Sequence, residues 1–364
     1  MNESRYDYVD DPTVAFDARG GVVAAWVDQA RKDVYFWKDG KSINVSRSPE
    51  TFSWLPRVAT GANGEIFVLW QEIIFSGGSH GGDILFARSG DGGKAFSPPL
   101  NLSSSVAGDG KGRINRDIWH NGSLDLIVGR DGTVYTAWTE YEGRLWLRRS
   151  TDGGKSFSQK VSVKTEKPAR APSLAVHGST VYLAWTVGDD PSADIRVAKS
   201  SDGAASFGAP VIVEKTRAYS DAPKIAVDGQ GVLHLAYNEG RRVHYTRSSD
   251  GGARFAPPLN VSGGDAGFPA LSLDGKGNIY VLWERFDEPY RARGLELAVS
   301  ADRGSTFRKI GVPESAGAGH NGSLQGLLMR KLAVSADGAV AIVNSSFKEN
   351  ESSRVWLIRG KWRP

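Results

Sequence analysis

Five copies of one turn recur along the chain: SGDGGKAF from Ser89, STDGGKSF from Ser150, SSDGAASF from Ser200, SSDGGARF from Ser248 and SADRGSTF from Ser300. Their starts lie 61, 50, 48 and 52 residues apart. A fixed period of this size means that one supersecondary unit is laid down repeatedly, each copy burying its faces against its neighbours. Within each copy the chemistry is that of a hairpin turn. The Asp carboxylate accepts from the turn's own amides, Gly supplies positive φ, and the Phe anchors the strand that follows.

Three further elements keep the same beat. An apolar stretch after a Gly-containing turn ends at Trp26, Trp70, Trp138, Trp185, Tyr237, Trp283 and Asn344, seven copies in all. A short segment precedes each: DPTV, LPRV, NGSL, APSL, APKI, FPAL and NGSL. A fourth element reads INVS at Ile43, LNLS at Leu100 and LNVS at Leu259. Short strands rich in Val, Leu, Tyr and Trp, with no sustained 3.6-residue period, predict antiparallel sheets and exclude a helical solenoid. The expected fold is all-β, a single β-propeller over 1–364 with seven four-stranded blades; six blades are the alternative. The approximate repeats are 11–50, 55–105, 120–164, 169–214, 220–262, 267–315 and 320–364. WKDGKSI and WLIRGKW replace the turn motif in the first and last repeats, and N-terminal residues are expected to complete the last blade.

Composition narrows the partners. Lys and Arg number 45 against 41 Asp and Glu, without the basic runs that would track a phosphate backbone, so nucleic acid is not expected. There is no cysteine, which excludes disulfides, thiolate metal sites and a Cys nucleophile. No P-loop, Rossmann glycine signature, HExxH or GxSxG is present, and no cofactor or metal is expected. MNESRYDYVDD has no apolar signal core, and no stretch approaches a membrane span. A secreted or periplasmic protein whose signal peptide has been trimmed is the expectation, with a cytoplasmic one as the alternative. The oligomeric state stays open, a monomer being compatible with all of this.

The Ser-x-Asp-x-Gly-x-x-Phe turns resemble those of the Asp-box (bacterial neuraminidase repeat) propellers of the sialidase-like superfamily, and the resemblance covers almost the whole chain. It implies a propeller in which these turns join the third and fourth strands, on the face away from the usual active site. That superfamily includes sialidases, other glycosidases, several polysaccharide lyases and some binding proteins. The implied partner is an oligo- or polysaccharide.

On the opposite face, the approaches to the seven innermost strands converge on the channel mouth. Counting two residues before the Pro or Gly of each copy gives Asp10, Trp54, His120, Arg170, Asp221, Gly267 and His320. The pentapeptide HNGSL occurs at His120–Leu124 and at His320–Leu324, so His120, Asn121, His320 and Asn321 are expected at one level of the mouth. Imidazoles there suit proton transfer on a sugar; the alternative is that they bind neighbouring backbone and replace Pro for packing. RAPSL at Arg170 resembles the Arg-Ile-Pro motif with which sialidases hold a carboxylate, although that motif belongs to the first blade, where this chain has Asp10-Asp11-Pro12. Two residues past the aromatic of the second strand lie Asp28, Glu72, Glu140 and Glu239; Glu284 directly follows Trp283. Paired carboxylates suit glycoside hydrolysis, and Tyr141 stands beside Glu140; a repeated strand-end cap is the alternative. Trp54, Trp119, Tyr141, Tyr219, Phe268 and Tyr290 are candidates for stacking on sugar rings.

Hydrolysis is the expected reaction, and β-elimination is its alternative. In hydrolysis, Glu140 or another rim acid such as Glu239 protonates the leaving oxygen, Tyr141 or a second carboxylate acts opposite, and Arg170, Asp221 and Glu72 contact substrate. In β-elimination at a uronic acid, Arg170 and Asn121 neutralise the carboxylate and His120 or His320 takes the C5 proton. A glycan- or protein-binding propeller without catalysis is the third reading.

Overall fold

A computed structural model describes residues 9–48, 50–76, 79–103, 124–140, 143–187, 192–288, 291–313, 329–346 and 353–363, with side chains left aside at 73–82, 288 and 291. Seven antiparallel sheets follow one another along the chain, at 9–44, 52–101, 124–163, 169–212, 220–260, 266–311 and 332–361. They are numbered here as blades 1 to 7. The first six have four strands each; the seventh has three among the described residues. The sequence expectation of residues before Val9 completing blade 7 lies outside the described residues.

Packing shows why the period works. There is no single core. Each pair of neighbouring blades shares its own apolar cluster. In blades 2 to 6 the aromatic of the second strand leans on the preceding blade: Trp70 joins Val23, Val34 and Phe36 of blade 1, and Trp138 joins Phe67 and Leu69 of blade 2. Trp70, Trp138, Trp185 and Trp283 are fully buried. The last seam closes the ring with smaller residues, Val14, Val22 and Ala24 of blade 1 against Ala341 and Val343 of blade 7. Hydrogen bonds tie it further: Val14 N donates to Arg330 O at 3.1 Å, and Ser345 Oγ to Asp10 Oδ1 at 2.6 Å.

The five repeated turns have one geometry. In the copy at Ser150, Ser150 Oγ donates to Asp152 Oδ1 at 2.7 Å and accepts from Gly154 N at 2.8 Å. The same carboxylate oxygen accepts from the amides of Lys155 and Ser156 at 3.0 Å. Ser156 Oγ, donating to the other carboxylate oxygen at 2.5 Å, together with these donors holds the exposed Asp152 carboxyl well below the usual carboxylate range. The second Gly serves two purposes. Gly93 has φ +91°, and a Cβ there would lie 2.5 Å from the Phe36 ring of the preceding blade. Replacing buried Ser150 by Ala strands the Gly154 amide and is expected to cost about 1–2 kcal/mol. Urea unfolding checks this, and the Ser300→Ala change in a distant blade should add to it.

Strand alternation sorts the loops. The Ser-x-Asp turns join third to fourth strands on one face. The approaches to the inner strands and the connections from second to third strands share the other.

Candidate functional site

Five inner strands begin with the same irregularity. Asp11, Leu55, Ala171, Ala222 and Phe268, each just before a Pro, have φ between 51° and 56°. The pairing with the second strand slips at each of these points. Such bulges re-aim the preceding side chain, and non-glycine residues in this region cost on the order of 1–3 kcal/mol each. A ring of strained backbone thus surrounds the mouth.

Strand register revises the alignment of the other two blades. Trp138 pairs with Leu124, so Leu124 takes the place of Pro in blade 3. In blade 7, Leu332 pairs with Ile342 and Val343 N donates to Lys331 O, which puts Arg330 in that place. The two HNGSL segments therefore meet their blades at different offsets: one ends at Leu124 itself, the other at Leu324, six residues short of Arg330. The equal level expected for the two copies does not follow from the sheet. His120, Asn121, Trp119, Tyr141, His320, Asn321 and Tyr290 lie outside the described residues.

Around the mouth, Asp10 is buried under Ser345. Trp54 is partly buried, and its indole N–H finds no partner among the described residues. Arg170 Nη2 donates to Asp221 Oδ2 at 2.5 Å and Nη1 to Tyr219 Oη at 3.3 Å. The structure thus joins two of the expected substrate ligands, from blades 4 and 5, into one ion pair. Asp221 Oδ1 and Arg170 Nε are buried beside it with no hydrogen-bond partner among the described residues.

Glu72, Glu239 and Glu284 lie within second strands that run on past the aromatic, and Glu140 directly follows its strand; all four are occupied in the blade walls. Glu72 is buried and accepts from Trp70 Nε1 at 2.8 Å, from Ser53 Oγ at 2.9 Å and from Thr51 Oγ1. Burial pushes its carboxyl up, and these donors hold it back. Glu140 accepts from Trp138 Nε1 at 3.2 Å and Lys160 Nζ at 3.3 Å. Glu239 accepts from Thr216 Oγ1 at 2.9 Å and Ser220 Oγ at 3.0 Å. Glu284 takes Lys331 Nζ at 2.5 Å. Among the described residues no group of three His, Asp or Glu gathers to hold a metal ion.

Deeper in, a charged cluster crosses the channel. Arg330 Nη2 of blade 7 donates to Asp125 Oδ1 and Oδ2 of blade 3 at 2.9 and 3.2 Å. Blades 3 and 7 are not neighbours, so this contact runs through the ring centre. Arg57 of blade 2 lies 3.8 Å from Asp125, and Asp125 Oδ2 also accepts from Leu174 N at 2.8 Å. Burial pushes Arg57 down to about 10, with Asp125 opposing and Arg330 assisting. Lys224 of blade 5 is enclosed by protein and pushed down to about 7 by burial and by Arg57 and Arg330; Asp125 and Asp221 oppose this. Lys224 keeps some water-accessible surface. Confined channel water solvates a charge poorly, so enclosure governs its protonation. Residue types alone gave no hint of this cluster. The signal available was positional: Arg57, Asp125 and Lys224 pair with the residue just before the second-strand aromatic of their blades, Leu69, Ala137 and Ala236.

Fold and mouth together define a seven-bladed β-propeller with one convergent, polar end. No family model and no curated protein matches the sequence. Solved structures do match in fold. The chain is similar to a polysaccharide lyase of family PL25, an ulvan lyase, with a TM-score of 0.60 at 14% identity, over 97% of this chain and 93% of that one. It is similar to an α-L-arabinanase from Penicillium chrysogenum, with a TM-score of 0.57 at 16% identity, over 84% and 93%. It is also similar to the Hadza microbial sialidase Hz136, with a TM-score of 0.53 at 16% identity, over 76% and 63%.

Proposed function

We propose that this chain is an Asp-box propeller of the sialidase-like kind that cleaves an acidic polysaccharide at the channel mouth, by β-elimination. The observation that carries the reading is the balance of the site. The second-strand acids Glu72, Glu140 and Glu239 are held by donors of the blade walls and Arg170 at the mouth is paired with Asp221, whereas below it Arg57 and Arg330 gather with Lys224 around Asp125. A uronate carboxylate bound near such cations has its C5 proton acidified. A base, His120 or His320, takes that proton, the electron pair forms the C4–C5 double bond, and the glycosidic oxygen leaves from C4 with a proton. No water is consumed. The fold likeness to an ulvan lyase over nearly the whole of both chains agrees with this reading.

Hydrolysis is the second reading, favoured by Glu72, whose burial pushes its carboxyl up toward the protonated form a general acid requires. Mass spectrometry after incubation with uronate-containing, sialylated and neutral glycans decides between them. The expected products are unsaturated and carry no added water. Products that gain water would establish hydrolysis instead, and intact glycans across the panel would sink both in favour of a binding propeller.

A further inference from the structure

The reaction proposed above uses the mouth and leaves the other face of the ring unassigned. There the turns between first and second strands lie beside the Ser-x-Asp turns. Two adjoining hollows open among them, of about 550 and about 360 Å³. The first is bordered by Arg247 and Arg254 of blade 5, the second by Arg130 of blade 3 and Lys276 of blade 6, and both by Gln230 and Arg303.

Arg303 breaks the pattern of its own turn. The fourth position of the repeat has φ between 68° and 76° at Gly92, Gly153, Gly203 and Gly251, and φ 59° at Arg303. Glycine adopts this backbone freely, whereas a residue with a side chain is strained there. Four copies use the unstrained residue; the one between the two hollows keeps an arginine.

Acids and bases around the hollows are similar in number but differently engaged. Asp131, Asp228, Asp250, Asp274 and Asp302 each turn their carboxylate onto amides or hydroxyls of their own turns. Arg254 also meets Asp250, at 3.1 Å. The other cations have no carboxylate partner among the described residues. Arg247 donates to Arg303 O, Arg303 Nη1 donates to Gln230 Oε1 at 2.8 Å, and Arg130 and Lys276 are exposed. A guanidinium has five N–H donors, so most of these stay open to a ligand.

We propose that this face is a second, non-catalytic holding site for an acidic polysaccharide, gripped by carboxylate or sulfate groups along its chain, with Arg303 as the shared contact. The inference rests on the substrate class proposed above, but not on the reaction. A guanidinium presents a planar fork to two oxygens of such a group. Donors spread around two hollows suit a chain that offers one acid group after another; a single ion needs them gathered at one point. The site lies across the ring from the mouth, so it retains a long chain without touching the bond being broken. Engaging one polymer at two places raises its retention with no new contact at the mouth, and short fragments gain nothing from it.

Binding of the full chain to immobilised polygalacturonate, dextran sulfate and neutral dextran tests this. At least one acidic polymer should be bound and dextran should not; which of the two binds more tightly tells carboxylate from sulfate. Arg303→Gly is the informative variant, because it restores the residue of the other four turns. It should melt near the parent's temperature and bind the acidic polymer about three- to tenfold more weakly. On long chains KM should rise with kcat unchanged, and turnover of short oligosaccharides should not move. If Arg303 only clamps Gln230 of blade 5, the variant melts lower and binds the polymer as the parent does, which overturns the site. Single-stranded DNA bound more tightly than either glycan overturns it too. If Arg303→Gly does not fold, Lys276→Gln and Arg254→Gln, both on exposed turns, carry the same comparison. Arg303-dependent binding in a protein that cleaves no glycan would refute the proposed reaction and leave this site standing; cleavage with equal binding by parent and variant would do the reverse.

Discussion

Asp125→Asn is expected to lose about 3–5 kcal/mol of stability, because it leaves two guanidinium groups in the channel without their shared carboxylate. The amide keeps the shape of Asp125 and one oxygen for the Leu174 amide, so packing changes little. What disappears is the charge that Arg330 reaches with both distances near 3 Å and toward which Arg57 leans. Urea unfolding measures the loss. Arg330→Gln in the same chain should recover part of it, since one of the stranded cations goes too; a purely additive double variant would show that the two residues do not act on each other. An Asp125→Asn protein as stable as the parent would mean that channel water solvates these groups far better than their enclosure suggests.

Lys224→Met should act in the opposite direction, and only over part of the pH scale. In the unfolded chain Lys224 titrates near 10.5, and in the folded chain at about 7. Folding therefore opposes the charged form. Below pH 7 the parent bears the whole penalty; between pH 7 and 10.5 the unfolded state binds the extra proton, and stability recovers as pH rises. Met removes the charge while keeping the length of the stem. Its gain is expected on the order of 3 kcal/mol at mildly acidic pH, shrinking through the alkaline range to almost nothing. Thermal or urea unfolding of both proteins across that range gives the difference curve. A difference that is flat with pH would show that Lys224 titrates alike in both states.

The seven-blade period was legible because its signals are local. Each Ser-x-Asp turn satisfies its own amides, as Ser150 and Asp152 do, and an aromatic marks the second strand of blades 1 to 6. Both depend on neighbours within a few positions. Register was legible only where Pro marks the bulge. In blades 3 and 7 no Pro stands there, and NGSL imitates the pattern without sharing its place; strand pairing alone reveals Leu124 and Arg330 as the matching residues. The acids past the aromatics were found in position, but not their partners. Glu72 meets its own blade's Trp70 and Ser53, a contact that a strand reading from sequence does not foresee. The channel cluster was hidden for a different reason. Arg57, Asp125, Lys224 and Arg330 stand far apart in the chain, and only closure of the ring brings them together.

The Asp125–Arg330 contact also has a mechanical meaning. Seven blades joined only to their neighbours form a hoop, and a hoop can be squeezed into an oval without breaking any joint. A bond across the diameter acts as a spoke. Its two ends are anchored next to the two HNGSL segments, since Asp125 directly follows the first and Arg330 stands six residues beyond the second. A pull on the inner strand of blade 3 is therefore felt at Arg330 of blade 7 through this contact, rather than being dissipated around the rim.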